Sequence, residues 1–230
     1  MTSDDWNDAG NEEFRHPNLG YVRFCEALDD GRLSAGATIT QSELSEMLRI
    51  SLSPLRETLV LLEEYGLVEI KQRSGIRVFY PEVSFIRENM QFRAMIEIYA
   101  MPVFVRNVGK EWLVELRAMH EQLQSAWQEK AHDRDAELSS KSRFLDRVFH
   151  TGIVKPLGNQ AIEAQHKRVS HNVHIARKVH TTPFGKQHYL DTIKEHFCVL
   201  DAVEDGDTKA AITALEAHFS SATHRLFIAP

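Results

Sequence analysis

The stretch "FLDRVFH" (residues 144–150) places Asp146 and His150 four residues apart, so on a helix both side chains leave the same face. Leu145 and Phe149 flank them, which turns that region toward an apolar interior. Two later stretches, "IKEHFCVL" and "ALEAHFSSA", add His196 and His218. One carboxylate and three imidazoles form a mixed nitrogen–oxygen donor set suited to zinc, nickel, manganese or a similar divalent ion. Such a site would leave positions for a bound carboxylate. The competing reading is plainer. With 12 histidines in the chain an Asp-x-x-x-His pair arises by chance, and a buried histidine with an ordinary hydrogen-bond partner is the commoner case. The run "HKRVSHNVHIARKVH" holds His166, His171, His174 and His180, but its mixture with Lys and Arg reads as a wetted helix face. Arg93 and Glu97, in "QFRAMIEIYAMP", also stand at i and i+4. They form either a surface ion pair worth about 0.2–0.5 kcal/mol, or an arginine turned into a cavity to hold an anion through two hydrogen bonds.

These residues need helices to position them, and the sequence past Pro81 supplies little else. Apolar periodicity and the breaks at Gly109, "HDRDAE", "KPLGN", "TTPFG" and "EDGD" predict six helices over 83–108, 111–130, 135–154, 159–180, 186–204 and 207–228. Six helices joined by short loops imply an all-α bundle. Before Pro81 the pattern differs. A helix runs from Tyr21 to a stop at Gly31, and Thr40 with Glu43 forms a capping box that opens a second. After the break "RISLSP", with Ser51 or Ser53 as cap and Pro54 in the first turn, a third helix carries Leu55, Leu59 and Leu62 to Gly66. "LVEIKQRSGIRVFY" then reads as a β-hairpin. This order is that of a winged helix-turn-helix, in which the motif's second helix enters the major groove of DNA by its N-terminal residues. The expected organisation is a flexible arm over 1–18, a winged helix-turn-helix over 19–80 and a helical domain over 81–230, a mainly α chain.

Composition sets limits on these readings. The 230 residues carry a net charge of −6 and no apolar run long enough to cross a bilayer. Residues 1–80 hold 14 acidic against 8 basic side chains, an unhelpful balance for DNA binding, which is driven largely by cationic side chains displacing counterions. The acidic start, "MTSDDWNDAGNEEF", is unlike a secretory signal, and the chain is expected in the cytoplasm. Cys25 and Cys198, without paired spacing, are expected to be buried small apolar groups rather than a disulfide.

Taken together, the residues resemble a known family. "GRLSAGATITQSELSEMLRISLSPLRETLVLLEEYGLVEIKQRSGIRVF" is similar to the DNA-binding module of the GntR family of bacterial transcriptional regulators. The helical half resembles the FCD ligand-binding domain of the FadR subfamily. Its recurrent marks, R-x-x-x-E, D-x-x-F-H and a terminal E-H … G-D … A … H, stand here as Arg93/Glu97, "DRVFH" and "EHFCVLDAVEDGDTKAAITALEAH". The resemblance covers about residues 20 to 225. It implies a homodimeric repressor or activator that binds a double-stranded operator and responds to a small organic acid. It also implies a divalent metal ion held by Asp146, His150, His196 and His218, and an effector contact from Arg93. Asn159, after "KPLG", matches a "GN" step that serves as a helix cap or a pocket contact.

The DNA half departs from the family in three places. Leu52 stands where an arginine usually follows the motif serine, Ser42 stands where another arginine is frequent, and Ala35-Gly36 replaces Pro-Gly. Arginine in the major groove pairs with guanine through two hydrogen bonds, whereas leucine offers only apolar contact, for example to a thymine methyl. The reading of bases is therefore expected to fall on Arg56, with Ser51 and Ser53 on phosphates or bases and Leu52 limited to apolar contact. Arg49, Lys71 and Arg73 are expected to hold the DNA backbone, and Glu57 to be structural. Two other functions compete: a ligand- or partner-binding dimer that has lost sequence-specific DNA binding, and a metal-dependent hydrolase or lyase. The sequence shows no general base or nucleophile motif for the latter.

Overall fold

The computed structural model describes residues 18–71, 75–80, 82–180 and 184–228. The expected arm therefore lies outside the described residues, apart from Asn18. The chain folds into two compact units: residues 1–86 with 171–180, and residues 87–170 with 181–230.

In the first unit α1 (Leu19–Asp29) begins at Asn18, whose side chain accepts a hydrogen bond from the Tyr21 amide. Strand β1 (Thr38–Ile39) leads into α2 (Gln41–Leu48) through the expected capping box, with Thr40 and Glu43 each satisfying a backbone amide of the other. Helix α2 stops at Arg49, a non-glycine residue in the left-handed region at φ 52°. Hydrogen bonds from Arg23 to the carbonyls of Leu48 (3.0 Å) and Arg49 (2.7 Å) hold that tight turn. Helix α3 (Leu52–Glu64) follows, then the wing strands β2 (Val68–Lys71) and β3 (Gly75–Val78).

The sheet is antiparallel in the order β1-β3-β2, with Glu69 opposite Arg77 and Ile70 opposite Ile76. At Gly75 a side chain would stand 2.9 Å from the Ile39 carbonyl oxygen, so β1 can close on β3 only over a glycine. Phe24, Leu44, Leu48, Leu55, Leu59, Leu62 and Ile76 make the core, joined by Ile175.

The second unit is built from α4 (Val83–Asn107), α5 (Lys110–Glu129), α6 (Ala136–Val154), α7 (Gln160–His180), α8 (Lys186–Glu204) and α9 (Thr208–Ile228). Each helix lies within a residue of its predicted bounds. The first four residues of α4, Val83–Ile86, and the second half of α7, residues 171–180, fall by packing in the first unit. A single 3₁₀ turn, Lys155–Leu157, continues α6 and was not expected from the sequence. Gly152 lets α6 approach Trp112 so closely that a Cβ there would stand 2.4 Å from the indole ring. Met101, Phe104, Leu116, Trp127, Phe149, Val199 and Leu215 fill the interior. Among the described residues no helix is long and apolar enough to cross a membrane.

Two expectations about burial need correction. Cys198 is exposed, and Cys25 is half-buried with its sulfur 3.2 Å from His171 Nε2; neither forms a disulfide among the described residues. The histidine-rich helix α7 is not a uniformly wetted face. His166, Val169, Asn172, Val173 and Ala176 recur at three- and four-residue spacing and are all buried, while Lys167 among them is exposed and Arg168 partly so.

Candidate functional site

Helix α6 presents Asp146 and His150 one turn apart, α8 supplies His196 and α9 supplies His218. One ligand atom from each of the four lies within 4.8 Å of all the others. Asp146 Oδ1 is 3.5 Å from His150 Nε2 and 3.8 Å from His196 Nε2. The three imidazoles are buried, whereas the Asp146 side chain retains 26% of its exposure. Phe149 stacks on His196 with ring centroids 3.9 Å apart, which fixes the plane of that imidazole.

The outer nitrogen of each histidine decides what the inner one can do. His150 Nδ1 lies 2.6 Å from Glu97 Oε2, and His218 Nδ1 lies 2.9 Å from Glu195 Oε2. An ionised carboxylate only accepts, so both imidazoles donate outward from Nδ1, and in its neutral form each turns an Nε2 lone pair inward. His196 Nδ1 lies 2.9 Å from His120 Nε2, while His120 Nδ1 lies 2.7 Å from the Leu116 carbonyl. His150 Nε2 and His196 Nε2 are buried and have no hydrogen-bond partner among the described residues. A buried polar atom without a partner costs roughly 1–3 kcal/mol. Two of them beside the Asp146 carboxylate, whose other oxygen lies 3.9 Å from the Arg93 guanidinium, form a cluster of electron pairs that a cation would satisfy. The donor set thus fits a divalent ion on its own geometry.

A second layer of charge surrounds this cluster. Glu97 is fully buried and accepts from His150, from His166 Nε2 (2.8 Å) and from Arg93 Nε (2.9 Å). Burial works to raise its carboxyl, but His150 and Arg93 outweigh burial and hold it below the usual carboxylate range. Asp146 behaves alike: His150, Arg93 and His196 overcome burial and keep it well down. Burial and neighbouring imidazoles push His196 well below the ordinary value, and burial lowers His218. His150 moves the other way, because Glu97 and Asp146 together overcome burial and Arg93. Glu195 is held at about 2: burial opposes ionisation, but hydrogen bonds from Arg225 at 2.6 and 2.8 Å and from His218 prevail.

Arg93 is not the surface ion pair that its spacing allows. It is 5% exposed, hydrogen-bonds Glu97, reaches to 3.9 Å from Asp146 Oδ2 and lies over the Phe219 ring. Asn159 has a different use: its Oδ1 accepts from the amides of Ala161 (3.1 Å) and Ile162 (3.2 Å), it caps α7, and it is exposed. Sequence reasoning missed His120, His166 and Glu195 and underrated Glu97. The signal for His120 is its place on the stripe Leu113, Leu116, His120, Leu123 and Trp127, all buried, where a polar residue stands out.

In the first unit Ser51, Leu52, Ser53 and Arg56 all lie exposed on the first turns of α3, and Leu52 is 45% exposed. Ser51 occupies the N-cap position of α3 but makes no capping hydrogen bond. Arg49 is exposed at the turn, and Lys71 is exposed on the wing, 3.5 Å from Glu69. Arg73 lies outside the described residues. Glu57 is exposed. Arg77, exposed on β3 opposite Glu69, is a further wing cation that motif comparison did not single out.

Comparison with known proteins agrees with this architecture. Residues 21–78 match the gntR family of bacterial regulatory proteins, and residues 88–221 match the FCD domain. The HTH-type transcriptional regulator YdhC of Bacillus subtilis is 26% identical over 209 residues, covering 89% of each chain. Escherichia coli McbR/YncC superposes with a TM-score of 0.67 at 19% identity, covering 99% of this chain and 98% of that one. A GntR protein of Rhodococcus sp. RHA1 gives a TM-score of 0.68 at 18% identity, with 90% of this chain and 94% of that one covered. These families and relatives are transcriptional regulators and not enzymes. The chain belongs to the GntR family of transcriptional regulators and carries an FCD domain behind its helix-turn-helix.

Proposed function

We propose that this regulator controls its operator through a small organic acid bound at a divalent metal ion held by Asp146, His150, His196 and His218. The observation that carries this reading is the convergence of three imidazole nitrogens and a carboxylate within 4.8 Å, two of the nitrogens buried without a partner. Zinc, nickel and manganese all suit this donor set. When bound, the ion supplies a positive centre with positions open to a carboxylate oxygen.

Charge supports an anionic effector. With the imidazoles neutral, as metal ligands have to be, Asp146, Glu97 and Glu195 facing Arg93 and Arg225 leave one negative charge among these side chains. A divalent cation reverses that sign, and one carboxylate of the effector restores neutrality in a buried space where net charge is costly. Arg93, already beside Asp146, stands where it would pair with that carboxylate. The quarter-exposed Asp146 marks the side open to solvent.

The protein acts on this reading as a homodimer with two DNA-binding heads, and the effector favours one placement of the heads over another. The exposed stripe Phe92, Met95 and Tyr99 on α4 offers an apolar surface for a second copy. Each head reads bases with Arg56 and contacts DNA with Ser51, Leu52 and Ser53, while Arg49 and Lys71 hold phosphates.

The test is a zinc titration of chelator-treated protein, with thermal unfolding as readout and His150→Ala and His218→Ala as controls. At a thousandfold excess over Kd, bound ion stabilises the fold by about 4 kcal/mol. Wild type should show a concentration-dependent rise in Tm that both variants lose. A wild-type curve that does not respond to zinc, nickel or manganese would defeat the metal reading. Fluorescence anisotropy with upstream DNA, with and without carboxylic acids, then tests effector control.

A further inference from the structure

We infer that His120 is a positioning residue for the metal centre, holding His196 in the tautomer that directs a bare Nε2 at Asp146. The inference rests on the metal reading for its purpose, but its geometry stands independently. His120 is fully buried on α5 and has both ring nitrogens engaged. The Leu116 carbonyl can only accept, so His120 Nδ1 carries the hydrogen. Neutral His120 then offers a lone pair at Nε2, 2.9 Å from His196 Nδ1, and His196 must donate there. One hydrogen on Nδ1 leaves His196 Nε2 bare, and that atom is one of the buried nitrogens without a partner. The direction of a ligand lone pair is thus set by a backbone carbonyl on a different helix, through one intervening imidazole.

This relay differs from the other two. His150 and His218 are each oriented by a carboxylate, which also makes the imidazole a stronger donor. His196 is oriented by a neutral group, which selects the tautomer without adding a third negative charge to the buried layer. The Phe149 and Phe197 rings pack around His120 at centroid distances of 6.0 and 5.8 Å, so a phenyl group fits the same surroundings while offering no acceptor.

Two measurements test this. Long-range ¹⁵N–¹H correlation spectra of the metal-free wild type should show His196 with a hydrogen-bearing Nδ1 and a bare Nε2; a hydrogen on Nε2 overturns the inference. Zinc affinity, read by competition with a chromophoric chelator, should fall about 10- to 100-fold in His120→Phe and stay within about threefold of wild type in His120→Gln, whose amide oxygen can accept from His196. Equal affinity of His120→Phe and wild type also overturns it. Should wild type bind no zinc, the metal reading fails, and the spectra still decide whether His120 sets the tautomer.

Discussion

The two ends of this regulator's chemistry are built in opposite ways. Around Asp146 every donor and acceptor is oriented by a second residue: Glu97 on His150, Glu195 on His218, His120 on His196, Arg93 on Glu97. At the start of α3 the residues facing outward are Ser51, Leu52, Ser53 and Arg56, all exposed, and Ser51 does not even cap its own helix. Burial explains the contrast. A polar group removed from water must have its partner supplied by the protein, so a buried site accumulates layers. A surface proposed to read DNA needs side chains left exposed to meet bases and phosphates, so its structure ends at the first layer. The lesson is that one region is specified by a network and the other by the choice of single protruding residues.

That comparison predicts where substitutions hurt. The largest effect is expected at Glu97. Glu97→Ala removes the acceptor shared by Arg93, His150 and His166 and leaves the buried Arg93 with only the more distant Asp146 carboxylate, which should cost about 3 kcal/mol in chemical denaturation of the metal-free protein. A loss below about 1 kcal/mol would mean that the layer is not the structural unit described.

Acid should come next. Burial pushes His120 down to about 4, so between the ordinary imidazole value of 6.5 and that value the unfolded chain binds more protons than the folded one. Stability is complete above about 6.5 and declines as pH falls, at about 1.4 kcal/mol per unit for one such group. His196 and His218, also lowered, act in the same direction. Unfolding curves of metal-free protein at pH 7 and pH 4.5 measure this, and a flat profile would contradict it.

On the DNA side the expected losses are smaller and fall on recognition instead of folding. Arg56→Ala should lower discrimination among operator sequences by about 1–3 kcal/mol, read by anisotropy against specific and scrambled duplexes. Lys71→Ala should weaken binding to both duplexes alike and reduce the salt slope by about one. Loss of specificity with Lys71→Ala but not with Arg56→Ala would reverse the assignment.

The smallest effect separates two helix starts. Thr40→Ala breaks the capping box of α2 and should cost about 1 kcal/mol. Ser51→Ala removes no capping bond from α3 and should leave stability within about 0.5 kcal/mol while weakening DNA binding.

Much of this molecule was legible from local pattern. Helix bounds followed from periodicity and from breakers such as Gly109 and "EDGD", because turn chemistry and apolar spacing are short-range properties. Asp146 and His150 could be paired by reading i and i+4 alone, and Asn159 after "KPLG" as a cap. Arg93 and Glu97 were visible as neighbours, but their spacing is the same on a wet face and in a core, so it left their burial undecided. His166 was hidden by the basic residues beside it in sequence, Lys167 and Arg168, which remain exposed or partly so while His166 is buried.

By itself, then, the sequence determined the order of elements and the residue types available to chemistry, since each depends on contacts within a few turns of chain. Only the tertiary structure decided that His120 meets His196 across 76 residues, that Glu195 orients His218, and that Glu97 serves three partners at once. Those relations depend on how helices distant in sequence pack. A lone pair acquires its direction from the group behind it, and that group is chosen by packing.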